Sequence, residues 1–293
     1  MLHLPDFETF CRLAEDANLV PVYRRLLSDS LTPVSAFHKI DQGVSACLFE
    51  SVIGGEKVGR YSFLAAEPFF EFDARGHRVT ISSDGTSRQL EVDDPLDELR
   101  RQVQQIRTVR IPELPPFTSG AVGYAGYDTI RYSEQLPDAP PDDRHLPDLS
   151  FAFYDRMVVF DHVNKTVMVV VMARLPSTDG RRSESTLRGA YDEACKRIDA
   201  LVEDLAASSQ PLDGADIDTT GAVEIAYPSN FTQERFETAV RTCVDYIRAG
   251  DIFQVVISQR MTVPIVSDPF EIYRTLRVVN PSPFMFYLRT SAA

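Results

Sequence analysis

No apolar run in this chain approaches the roughly 18–20 residues that a membrane-spanning helix requires, so a spanning segment is not expected. The N-terminal stretch MLHLPDFETF has neither a basic leader nor a long apolar core, so no secretory signal is expected either. Cysteine is scarce. The four, Cys11, Cys47, Cys195 and Cys243, are scattered with no CxxC pair, which predicts buried, reduced thiols of a cytoplasmic protein rather than a disulfide framework or a zinc site. The five histidines form no metal-ligand spacing. Cationic residues are in deficit: 30 Lys and Arg against 43 Asp and Glu leave a net charge of −13. That balance argues against a nucleic-acid partner, and it requires a locally positive pocket for any anionic substrate. Tryptophan is absent, which by itself excludes nothing. Gly120, Gly123 and Gly126 have the spacing of a dinucleotide fingerprint but no strand–turn–helix around them, and Gly54-Gly55-Glu56-Lys57 lacks P-loop spacing, so both predict turns or close packing.

What is present is a chain of 293 residues, 44% apolar, enough for one large domain or two ordinary ones. Asp6–Ala17 and Pro95–Ile106 carry apolar residues at helical spacing, and a Pro- and Thr-punctuated segment follows the first. Val44–Ser51 and Val58–Ala65 read as strands joined at Gly54-Gly55. Phe69–Asp73 and Arg78–Ser82 form a second pair, and Asp84-Gly85 marks the next turn. Ser150–Asp161 and Thr166–Arg174 are strongly β-like, with His162–Lys165 between them. Leu187–Ala206 is a polar helix. Residues 207–224, rich in Ser, Gly, Asp and Thr, form the linker candidate. The clearest helix has Phe236, Val240, Cys243, Val244 and Ile247 on one side, Asn230 and Thr232 as N-cap candidates and Gly250 as its stop. A strand over Phe253–Val263, a helix over Pro269–Val279 and a strand over Met285–Arg289 complete the pattern. Hairpin-linked strands with single helices predict an α+β fold of antiparallel sheets packed with helices. The expected domains are 1–206, the linker 207–224, and an incomplete second domain over 225–293.

Four segments in order carry a resemblance: LFESVIGGEKVGRYSFL from Leu48, GAVGYAGYDTIRYSEQLP from Gly120, AGDIFQVVISQR from Ala249 and NPSPFMFY from Asn280. Together they resemble the chorismate-using enzymes, specifically the large subunit of anthranilate synthase. The resemblance implies a tryptophan-binding regulatory site built from Leu48, Glu50 and Ser51, closed by Pro283, Phe284 and Met285 and with Arg60 as a further contact. By spacing alone, Glu50 and Ser51 merely end a strand at a turn, and Arg60 is a solvated strand-end side chain. A free amino acid needs an acceptor for its ammonium, such as Glu50 or backbone carbonyls, donors for its carboxylate and an apolar slot for the indole. Gln254 stands where water-adding relatives carry Lys. A desolvated Lys can activate water and a neutral amide cannot, which fits ammonia as the nucleophile; the bland reading of Gln254 is a hydrogen-bonded strand residue. Phe284 is the residue more frequent in aminodeoxychorismate synthase, which keeps that enzyme as an alternative parent.

The resemblance implies that the complete enzyme combines chorismate with ammonia to give anthranilate and pyruvate. It also implies Mg²⁺ as cofactor, a glutamine amidotransferase subunit as partner and L-tryptophan as feedback inhibitor. The family's metal-binding glutamates and catalytic His belong after the NPSPFMFY segment, and their motifs do not occur here. The chain is therefore expected to be truncated, to bind no metal by itself and to make no anthranilate alone. Further alternatives are a non-catalytic fragment that binds tryptophan or the amidotransferase, and a product without function.

Overall fold

The computed structural model describes residues 2–291 except 28, 52–58, 84, 177–181, 209–211, 213, 215, 219 and 221–224. In chain order the first elements are α1 (Phe7–Leu13), β1 (Leu19–Leu27), α2 (Pro33–Ile40), β2 (Ala46–Glu50), β3 (Tyr61–Ala66), β4 (Phe70–Arg75), β5 (Arg78–Ser83) and β6 (Thr86–Glu91). There follow α3 (Pro95–Gln104), β7 (Gly120–Ala125), a 3-10 turn over Tyr127–Tyr132, β8 (Leu149–Tyr154), β9 (Arg156–Asp161), β10 (Thr166–Arg174) and α4 (Glu184–Ala206). The last are α5 (Gln233–Ala249), α6 (Pro269–Val279) and β11 (Met285–Arg289). The backbone separates into two compact units, residues 1–214 with 276–293, and residues 215–275.

The first unit holds two antiparallel sheets. One runs β1-β10-β9-β3-β2-β11 and the other β6-β5-β4-β8-β7. In β9 and β10 the alternation of the strand sorts side chains between two cores. Met157, Val159, Met168, Val170 and Met172 face the other sheet and meet Val122, Ala152 and Tyr154 there. Their neighbours Val158, Phe160, Val167, Val169 and Val171, also buried, face the helices. There α4 lies across β10 and β1, and α2 covers β2 and β3. With both faces covered, TVMVVVMAR reads as a continuous apolar run rather than an alternating one. Asp155, at the β8–β9 corner, ties the layers: its buried carboxylate lies 2.6 Å from Arg197 of α4 and 3.2 Å from Arg174 of β10.

The helix starts are those the side chains dictate. Asp6, Thr32, Asp94, Ser183 and Thr232 each accept a backbone N–H of the first turn, and Thr32 with Ser35 completes a capping box. Of the two N-cap candidates for α5, Thr232 caps, while Asn230 accepts from the backbone N–H of Arg260 at 2.7 Å. Gly250 ends α5 with φ at +84°. Gly123 shows why the glycine triplet is a packing device. A Cβ there would stand 1.9 Å from the carbonyl oxygen of Ser150 on the paired strand β8.

Several expectations need correction. The Pro- and Thr-punctuated segment contains β1 and α2. Pro21 is accommodated because β1 is the end strand of its sheet, and Pro33 because it opens a helix. Residues 253–263 are not a strand: one bridge, Ser229 to Met261, is all that pairs them among the described residues, and a strand without a ladder has no partner for its backbone groups. Residues 276–293 group with the first unit, where β11 pairs with β2. Of the cysteines, Cys47 is enclosed with its thiol pushed up to about 12 by burial, and Cys11, Cys195 and Cys243 are only half-buried; none is bridged. The turns at Gly54-Gly55 and Asp84-Gly85 fall wholly or partly outside the described residues, as does much of 207–224. Among the described residues no helix is long and apolar enough to cross a membrane.

Candidate functional site

The antiparallel register of β2 and β11 sets Glu50 directly opposite Met285 and Leu48 opposite Tyr287. These side chains share the helix-facing side of the sheet. So do Ser62 and Leu64 of β3, because Leu48 pairs with Leu64 and side chains two apart return to one face. Ser62 pairs in turn with Phe160 of β9, whose continuation carries His162 onto the same face. One end of the sheet thus gathers Glu50, Ser62, His162 and Met285 on the face they share with the buried Leu48.

A buried carboxylate needs a counter-charge, and Arg277 of α6 supplies it. Glu50 is 6% exposed. Arg277 Nη2 donates to Glu50 Oε1 at 3.1 Å. Arg277 Nε lies 2.9 Å from Oε2 but off the line of a good hydrogen bond. Ser62 Oγ and His162 Nε2 share a hydrogen bond at 2.7 Å, and the imidazole stacks beside Phe160. Burial pushes the His162 pKa below 6.5, against a smaller pull upward from the Glu50 charge.

Leu48, Glu50 and Met285 are therefore brought together. Ser51 stands next in the chain, half-buried. Pro283 is exposed, and Phe284, 80% exposed, points its ring into solvent. Arg60 is engaged elsewhere: its guanidinium Nη2 lies 2.8 Å from Oδ2 of the buried Asp161. Burial alone would raise the Asp161 carboxyl, but hydrogen bonds from Arg60 and Asn164 outweigh it and hold the pKa below 3.8. Gln254 lies in the second unit, exposed and outside any strand. Arg277, His162 and Ser62 were not singled out from sequence. The legible signal was Arg277, which falls four residues after Tyr273 and seven after Phe270, on the buried stripe of α6. Among the described residues no three His, Cys, Asp or Glu side chains converge.

The molecule is thus two antiparallel sheets packed with helices, with a buried acid–arginine pair at one strand end. The chain belongs to the chorismate binding enzyme family, whose model matches residues 55–293. It is similar to anthranilate synthase component 1 of Synechocystis, with 38% identity over 97% of this chain and 56% of that protein. It is also similar to anthranilate synthase alpha subunit 2 of Arabidopsis thaliana, with 39% identity over 97% of this chain and 47% of the relative. The crystal structure of anthranilate synthase component I from Streptococcus pneumoniae superposes with a TM-score of 0.56 and 29% identity, over 88% of this chain and 53% of that one. The chain spans about half the length of the relatives it matches.

Proposed function

We propose that the chain is part of an anthranilate synthase large subunit, whose complete form converts chorismate and ammonia to anthranilate and pyruvate. The ammonia comes from a glutamine amidotransferase subunit in the same cytoplasmic compartment. The first unit is the regulatory part. It binds L-tryptophan, the end product, at the Glu50–Met285 end of the sheet. The observation that carries this reading is the β2–β11 ladder, which sets Glu50 against Met285, residues from two motifs far apart in the chain. Glu50 takes the ammonium, and Leu48 and Met285 offer apolar surface to the indole. Tryptophan inhibits the complete enzyme by binding one conformational state better than another, since a ligand of equal affinity for both shifts nothing.

By itself the chain makes no anthranilate. Gln254 is exposed in unpaired backbone rather than set in a strand beside a substrate. Incubation with chorismate, ammonia and Mg²⁺, followed through the product's fluorescence, should give no signal above buffer. Signal should appear when a relative's C-terminal half is added. Because the chain contains no tryptophan, a titration with L-tryptophan excited to the red of tyrosine absorption reads the ligand's own indole emission without any from protein indoles. A saturable change is expected, weakened at least tenfold in Glu50→Gln, and a titration without saturation would end the regulatory reading.

A further inference from the structure

Resting on this amino-acid-site reading, we propose that Arg277 is the carboxylate-binding residue of the site, and that an α-amino acid enters by inserting between Arg277 and Glu50. Without ligand, the guanidinium covers both carboxylate oxygens of Glu50, at 3.1 Å from Oε1 and 2.9 Å from Oε2. Glu50 therefore cannot turn an oxygen toward a ligand ammonium unless Arg277 yields it. The group that yields is a planar fork of donors matched to a carboxylate. An α-amino acid carries the two counterparts on adjoining atoms: its ammonium goes to Glu50 and its carboxylate to Arg277. One ion pair becomes two and the net charge of the cluster is unchanged. A ligand with only one of the charges breaks the Glu50–Arg277 pair and forms a single new one in its place.

A second observation points the same way. The Nε atom of Arg277 is inaccessible to solvent, yet its bond to Glu50 is off line. A buried donor left poorly satisfied is destabilising, and a carboxylate lying in the guanidinium plane would satisfy it. Among the described residues that share this face, Ser62 and Met285 are uncharged, and burial favours the neutral form of His162. Recognition of both charges thus falls to the Glu50–Arg277 pair, and the site takes zwitterions as a class.

Calorimetry on the full chain with L-tryptophan, tryptamine and indole-3-propanoate tests this. The wild-type chain is expected to bind L-tryptophan at least tenfold more tightly than either one-charge analogue. Arg277→Met should lose that preference by weakening tryptophan at least tenfold and tryptamine little. Undiminished tryptophan affinity in Arg277→Met overturns the proposal and leaves the site reading standing. No tryptophan binding by the wild-type chain overturns both, so the two failures are distinct. Should Arg277→Met lose its fold by near-ultraviolet dichroism, the doubly neutral Glu50→Gln/Arg277→Met chain is read in its place, and tryptophan affinity retained there overturns the proposal. A measurement without substitution closes the argument: the Arg277 Nε–H resonance should move on saturation with L-tryptophan and stay with tryptamine, and a resonance unmoved by tryptophan overturns the assignment.

Discussion

Arg277 and Glu50 each carry a charge that burial penalises, and each offsets the other's penalty. Deleting one should therefore cost more than deleting both. Arg277→Met is expected to lose about 2–3 kcal/mol in urea unfolding, because it removes the guanidinium that faces a nearly enclosed carboxylate, while Glu50→Gln/Arg277→Met loses about 1 kcal/mol or less. His162 makes a second prediction. Its folded pKa lies below 6.5, so the unfolded chain takes up a proton that the native chain refuses. Stability contributed this way is present above pH 6.5 and lost as pH falls through the folded value. The melting temperature should fall between pH 7 and 5, and His162→Gln should flatten that slope. Neither residue was singled out from sequence. An Arg in an amphipathic helix and a His at a strand end are ordinary until the stripe of Phe270 and Tyr273 is seen to be buried. Asp161 and Arg60 show the opposite case, in which an arginine given a ligand role by resemblance lies against a neighbouring acid.

At the level of elements, the strands with strong alternation or unbroken apolar runs were legible, as were α4, α5, α6 and β11. The errors have a common cause. Pro21 and the Arg24-Arg25 pair break the pattern of β1, which forms nonetheless because β10 pairs with it along its whole length. Residues 253–263 alternate like a strand yet lack a ladder, because strand propensity only describes fitness for a pleated surface that something else must provide. Close packing between strands makes a sharper test. Gly123→Ala would drive a Cβ into the backbone of β8 and is expected to destabilise by about 3 kcal/mol or more, with loss of β7–β8 amide protection in hydrogen exchange. Gly250→Ala meets open space and only a left-handed backbone, and should cost about 1–2 kcal/mol.

On the scale of the whole molecule, the second unit exposes Phe253, Val256 and Val266 almost completely. Exposed apolar surface of this kind promotes association. Phe253→Glu/Val266→Lys is expected to reduce self-association in sedimentation velocity while leaving the melting temperature of the first unit unchanged. The α+β class and the family followed from segments spread along the chain, whereas the register of β11 on β2 could not, since it joins segments across most of the sequence. That pairing also sets a schedule. Arg277 follows Glu50 by 227 residues. At about 5–20 residues per second, a ribosome needs on the order of ten to forty-five seconds between the two. Throughout that interval β2 waits with an open edge and Glu50 without its guanidinium, so a nascent chain has sheets and helices to fold long before the Glu50–Arg277 pair can form.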